Sequence, residues 1–168
     1  MQPPELSQAT VAKLLYLLDV EEIRTLKFKY AQLMDKLDID GLAELFTDDA
    51  KCNFGPYGEW SGKEVIRNNY RAAMADVVTA PWGSLHHICN HWVELTSETT
   101  AVGRSYLIDV IAERAPDVNP VLCYALYDEE YRKVNGNWKI SFSCIQFLWP
   151  EKTTNNTVLA SFPPPQSE

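Results

Sequence analysis

Asn137-Trp-Lys-Ile-Ser-Phe-Ser-Cys-Ile-Gln-Phe-Leu-Trp149 is the stretch on which the fold turns. Trp138, Ile140, Phe142 and Cys144 share one face, and Lys139, Ser141 and Ser143 take the other. That period of two is what a strand with one buried side requires. The preceding Val134-Asn-Gly-Asn137 carries the Asn-Gly pair favoured in hairpin turns, since both residues tolerate positive φ. Working back from that hairpin, further β-type segments read at about 121–133, 100–113 and 84–96, with short polar links between them. Their succession predicts a long antiparallel meander.

The first half has the other period. Val11, Leu14, Leu15 and Leu18 recur at helical spacing, as do Ile23, Leu26, Tyr30, Leu33 and Met34, which predicts a helix over 9–37. Between the two sets Asp19 stands three residues before Glu22, in the manner of a capping box, and a bend is expected there. Asp38-Ile-Asp40 ends the helix and starts a short one over 41–46, and Thr47-Asp-Asp-Ala50 turns into a strand over 51–54. Gly55-Pro-Tyr-Gly58 reads as a turn, and Ser61-Gly-Lys-Glu64 opens a helix to about Ala75. Helices followed by a meander is the α+β pattern. Long strands curling round packed helices make a cone, and a cone has an interior.

No repeat or flexible linker divides the 168 residues. Residues 1–150 are read as one domain, and 151–168, ending in Phe162-Pro-Pro-Pro-Gln-Ser-Glu168, as an irregular tail. Apolar residues make up 46% of the chain, an ordinary proportion for a globular protein. A net charge of −8 repels phosphate backbones and anionic lipid, which argues against nucleic-acid or membrane-surface partners. Leu14-Leu-Tyr-Leu-Leu18 is too short to span a bilayer. The start Met1-Gln-Pro-Pro-Glu-Leu-Ser-Gln8 does not read as a signal peptide. A cytoplasmic protein is therefore expected, with Cys52, Cys89, Cys123 and Cys144 as free thiols and the Asn155-Asn-Thr157 sequon without meaning.

All three histidines lie in Ser84-Leu-His-His-Ile-Cys-Asn-His-Trp92. In an extended strand His86 and His87 point to opposite faces. His87 and His91 share a face but stand about 13 Å apart, and Cys89 lies about 6.6 Å from each, so no metal site is expected. His86 is a candidate acid–base, though from the residues alone it reads first as a core histidine hydrogen-bonded to a neighbour. His87 and His91 are read as outward residues without a chemical role. Asn90, on the face of His86, either lines a pocket or is polar filler. Asp109 interrupts the apolar run Tyr106-Leu-Ile-Asp-Val-Ile111, and a carboxylate there must be paired, exposed or functional. Asp35, near a helix end whose dipole disfavours it, is either part of a solvated acidic cluster with Asp38 and Asp40 or buried beside a histidine. Tyr30, on the apolar face of its helix, either packs or donates a hydrogen bond to a substrate carbonyl. Trp60, Trp82, Trp92 and Trp149 are core residues or cavity walls.

Several motifs carry a family resemblance. Glu22-Ile-Arg-Thr-Leu-Lys-Phe-Lys-Tyr30, Asp35, and Gly41-Leu-Ala-Glu-Leu-Phe-Thr-Asp-Asp-Ala50 come first. The Gly62-Lys-Glu-Val-Ile66 helix start, the histidine strand, Thr99-Thr-Ala-Val-Gly-Arg104 and Tyr127-Asp-Glu-Glu-Tyr131 before Gly136-Asn-Trp-Lys139 follow in order. Over roughly 15–149 the chain resembles the SnoaL-like branch of the NTF2-like superfamily. Within that branch it is most similar to cofactor-free lyases of the bile-acid 7α-dehydratase and scytalone dehydratase type. The resemblance implies an NTF2-like cone, with Tyr30, Asp35, His86 and Asp109 as catalytic residues and His86 as the inward one. Gln146 stands where a basic residue would be expected, which points away from an acidic or CoA-linked substrate. Asn90, Gln146, Trp60 and Trp149 complete the expected substrate-binding set.

The expected activity is a dehydratase acting without metal or organic cofactor on a hydrophobic cyclic substrate such as a steroid, polyketide or terpenoid. The same groups would serve an isomerase or cyclase, and a ligand carrier would need the pocket alone. A homodimer or homotrimer is expected.

Overall fold

The computed structural model describes residues 6–75, 83–112 and 121–149. The expected tail and Trp82 lie outside them. The chain opens with a long helix α1 (Gln8–Asp35), then a short α2 (Ile39–Ala43), a strand β1 (Phe46–Asn53) and a 3₁₀ turn at Gly55–Tyr57. A short strand β2 (Glu59–Ser61) and helix α3 (Lys63–Met74) lead into β3 (Gly83–Leu95), β4 (Thr100–Ala112), β5 (Val121–Val134) and β6 (Asn137–Trp149). The six strands form one sheet in the order β2-β1-β6-β5-β4-β3. The architecture is α+β, with the helices on the inner side of a curved, open sheet.

Local chemistry sets the boundaries. Ser7 caps α1, its hydroxyl accepting from the Thr10 N–H at 3.2 Å. The helix ends where Leu37 takes φ +58° and the Asp38 N–H reaches back to the Leu33 carbonyl. Asp38 then caps α2 through the Gly41 N–H. Asn135 and Gly136 have φ of +51° and +81°, the conformation of the predicted hairpin turn.

Two expectations are corrected, and one strand is added. α1 runs through Asp19–Glu22 without a break. Asp19 is no cap, because its carboxylate instead accepts from the Trp138 indole N–H at 2.8 Å and from Lys133. β1 starts at Phe46 rather than 51. Thr47-Asp-Asp reads locally as a turn, but parallel pairing with β6 holds it extended (Phe46 opposite Ile140), and tertiary pairing overrides local preference. β2 went unpredicted because it has only three residues, held by Trp60 opposite Cys52.

The core lies between the helices and the inner sheet face, with Ile23, Leu42, Phe46, Ile66 and Ile140 fully buried. It also holds an ion pair. Lys27 Nζ lies 2.8 Å from Glu129 Oε1, both side chains out of solvent. Ser143 Oγ donates to the same oxygen and the Tyr131 hydroxyl to Oε2 at 2.7 Å. Burial pulls the Lys27 ammonium below its ordinary range against the opposing pull of Glu129. Burial raises Glu129, but Lys27 and the Tyr131 hydroxyl outweigh it, and the carboxyl ends below its usual range.

Candidate active site

The reactive groups meet where the end of α1 abuts β3. Asp35 Oδ1 lies 2.6 Å from His86 Nδ1, and its two oxygens accept from the His86 backbone N–H at 3.2 and 3.3 Å. A carboxylate that only accepts selects, in the neutral ring, the tautomer with its proton on Nδ1, which leaves the Nε2 lone pair on the opposite side. On the Nε2 side Asp109 Oδ2 stands at 3.8 Å, placed there by the register that sets His86 opposite Asp109. Ser84 donates to Asp109 Oδ1 at 2.7 Å and lies 3.2 Å from His86 Nδ1. One imidazole is thus flanked by two carboxylates.

His86 and Asp109 line a cavity of about 160 Å³ between α1, α3 and the sheet. Tyr30, Tyr70 and Tyr127 contribute hydroxyls; Phe54, Tyr57, Trp60 and Phe147 contribute aromatic walls. Tyr30 Oη lies 2.7 Å from Tyr70 Oη and 3.5 Å from Tyr127 Oη. Three hydroxyls carry three protons and share two bonds, so one O–H is left to donate to a ligand. Burial raises all three phenol pKa values, which keeps them protonated as donors. Lys27 Nζ sits 3.4 Å above the Tyr127 ring and 4.2 Å above that of Tyr30, behind the cavity rather than in it. Among the described residues no lysine or arginine lines the cavity, and no group of His, Cys, Asp or Glu is arranged to hold a metal ion.

Of the expected site residues, Tyr30, His86, Asp109 and Trp60 line the cavity and Asp35 backs the histidine. The others lie elsewhere. A bulge interrupts β3 between Cys89 and Trp92, with Asn90 at φ +49°. This shifts the alternation by one, turning Asn90 to solvent and His91 inward. His91, expected outside, is buried, its Nε2 3.2 Å from the Tyr131 hydroxyl. Trp149 is half exposed and stacks on Tyr124, the centroids 5.6 Å apart. Gln146 does not line the cavity, although Ile145 and Phe147 on either side do. Ser84, Tyr70 and Tyr127 went unpredicted. Their signal was thin: Ser84 has the strand parity of His86, and Tyr127 opens the acidic Tyr127-Asp-Glu-Glu-Tyr131 run.

Burial lowers the His91 pKa from 6.5 to about 4. Between those values the unfolded chain binds a proton that the folded protein does not, so stability falls as pH falls. The loss expected from pH 6.5 down to about 4 is ~3 kcal/mol. Urea titrations across that range should show it, with a flatter profile for His91→Gln. An unchanged slope in the variant would count against this assignment.

The SnoaL-like domain family model matches residues 15–143. No curated protein matches the chain significantly. Among solved structures, a protein of unknown function with a cystatin-like fold from Nostoc punctiforme is 27% identical with a TM-score of 0.67, covering 79% of this chain and 93% of its own. A protein provisionally named a scytalone dehydratase, from Novosphingobium aromaticivorans, is 21% identical with a TM-score of 0.74, covering 89% and 99%. The hexachlorocyclohexane dehydrochlorinase LinA-type3 of Novosphingobium barchaimii is 22% identical with a TM-score of 0.68, covering 91% and 99%. The last two likenesses concern the fold. Among the described residues no helix is long and apolar enough to cross a membrane.

Proposed function

The chain belongs to the SnoaL-like domain family, and on that premise we propose that it is a lyase, a dehydratase acting on an uncharged, hydrophobic cyclic carbonyl compound. The observation that carries this reading is the imidazole anchored at Nδ1 by Asp35, with Nε2 turned to an apolar cavity beside Asp109. Nε2 takes a proton from the carbon next to the carbonyl. The electron pair moves onto the carbonyl oxygen, which receives the spare O–H of the Tyr30 cluster. Asp109 stabilises the imidazolium. The enolate then collapses, a β-hydroxyl leaves with the proton from Nε2, and a conjugated double bond and water remain. Histidine ends neutral, so acid–base catalysis and oxyanion stabilisation account for the whole cycle.

Size and charge narrow the substrate. A cavity of about 160 Å³ is near the ~150 Å³ that accommodates one aromatic ring. It encloses the reacting ring, and the rest of a steroid- or polyketide-sized molecule lies at its mouth. Among the described residues the wall has no lysine or arginine, which favours a neutral compound.

Incubating the purified protein in D₂O with a panel of cyclic β-hydroxy ketones tests this. A product lighter by one water, formed only with enzyme, is the expected result. Deuterium exchange next to the carbonyl without loss of water would replace the dehydratase with an isomerase or cyclase on the same groups. Tight binding without either change would leave a carrier.

A further inference from the structure

The ion pair of Lys27 and Glu129 lies directly behind the tyrosine hydroxyls of the cavity, and none of the proton transfers in the dehydration uses it. Stability alone does not account for it, since apolar residues of similar volume generally hold a core as well as a buried pair does, or better. Its placement is specific. Lys27 stands three residues before Tyr30 on the same face of α1. Tyr127 and Glu129 are successive inward residues of β5, about 6.6 Å apart along the strand. The ammonium touches all three. Its Nζ is 3.4 Å from the centre of the Tyr127 ring, 4.2 Å from that of Tyr30 and 2.8 Å from Glu129 Oε1. Two ring faces and one carboxylate oxygen therefore stand around its three N–H donors.

A cation on the face of a phenol ring is attracted by its π density, and more strongly as the ring takes on phenolate character. The O–H of such a ring is a stronger donor than burial alone would leave it. Tyr30 and Tyr127 share one ammonium, and their hydroxyls meet in the cluster with Tyr70. Lys27, Tyr30 and Tyr127 are all buried, so the field reaches the oxygens with little screening. The titratable groups around the pair do not compete with it. Burial holds the Cys52 thiol on β1 and the Tyr131 phenol on β5 above their ordinary ranges and lowers His91 on β3 to about 4. All three are neutral at neutral pH. Glu129 supplies the counter-charge that opposes the loss of the Lys27 proton to burial.

We propose that Lys27 is a positioning residue for the oxyanion, strengthening through the rings of Tyr127 and Tyr30 the hydroxyl donors that receive the charge of the enolate. The inference rests on the tyrosine cluster being the oxyanion donor, and it is tested without turnover. The probe is 4-nitrophenol, a single ring of the size the cavity encloses, whose ionised form is yellow. Bound beside His86 it passes its proton to Nε2 and leaves a phenolate on the tyrosine donors. Absorbance across pH reads its ionised-to-neutral ratio in complexes of the wild type and of Lys27→Met/Glu129→Gln, in which both charges are gone. A ratio ~10–30-fold lower in the variant is expected, the weight of a desolvated cation–π contact. A pair that only holds the core together would leave the ratio unchanged, and that result overturns the inference, as would failure of the wild type to bind the phenol. Should that variant fold poorly, Lys27→Gln/Glu129→Gln, which keeps a hydrogen bond between the two positions, carries the same expectation. With a β-hydroxy ketone that the wild type dehydrates, the same variants should lose kcat by a similar factor with KM little changed. A shifted phenol ratio without turnover of any ketone would uphold the role of Lys27 and strike the dehydratase. Turnover with an unshifted ratio would strike only the role of Lys27.

Discussion

Replacing Lys27 with methionine should lower the melting temperature by roughly 6–20 °C, the equivalent of about 3–5 kcal/mol in a protein of this size. Methionine fills most of the lysine's volume, so the loss is electrical. Glu129 stays fully buried, with the hydroxyls of Tyr131 and Ser143 as donors but no cation at 2.8 Å. A buried carboxylate without its counter-charge is protonated more readily, and its pKa moves from below the usual range toward or above it. In the wild type that depressed group contributes stability that is present above the ordinary glutamate range and lost as pH falls through its folded value. In Lys27→Met the sign reverses, because protonating Glu129 relieves the strain. The gap between the two melting curves should therefore narrow on acidification. Lys27→Met/Glu129→Gln should recover much of the loss at neutral pH, since both charges are then gone. A gap independent of pH, unrepaired by the second substitution, would assign the effect to packing.

Lysine 27 also shows where a sequence stops being legible. It sits on the apolar face of α1, four residues after Ile23 and three before Tyr30, and a charge in that stripe is a visible anomaly. Its partner is 102 residues away on β5, and nothing in the local pattern points to it. The second half was legible because alternation is local: all four long strands were expected within a residue or two of their observed ends. The parallel pairing of β1 with β6 was not, because its stabilisation comes from across the chain. The bulge in β3 was a different failure. Period-two reasoning puts Asn90 on the face of His86, and one residue with positive φ moves everything beyond it to the other side. So Asn90 and His91 exchanged places, while His86, before the bulge, stayed inward.

The His86–Asp109 pairing was partly legible. Asp109 broke an apolar run, and burying a carboxylate demands a partner; the register then supplied His86. Asp35 gave no such signal, since Asp38 and Asp40 beside it look like a solvated cluster. Only the helix end meeting β3 separates it from them. The tyrosine cluster joins α1, α3 and β5, and no spacing in a single segment encodes it.

His86→Gln should reduce turnover of a competent substrate by about 10²–10⁴-fold, the usual contribution of a positioned proton-transfer group. Glutamine can still donate an N–H to Asp35 and occupy much of the space of the ring, so binding and folding should change little. The loss should accordingly appear in kcat rather than in KM. Asp35→Asn makes the complementary case. The amide oxygen can still take both the backbone N–H and Nδ1 of His86, as Asp35 Oδ1 does, but without the negative charge that holds the proton on Nδ1. The proton is then free to move to Nε2, and the base loses its lone pair toward the cavity. Asp35→Asn should consequently lower kcat in wild-type solvent conditions, and combining it with His86→Gln should add almost nothing, because the carboxylate acts through the imidazole. Independent, additive losses would place Asp35 on the substrate directly. Retention of turnover in His86→Gln would transfer the base to Asp109, which stands 3.8 Å from the same Nε2 and lines the same cavity.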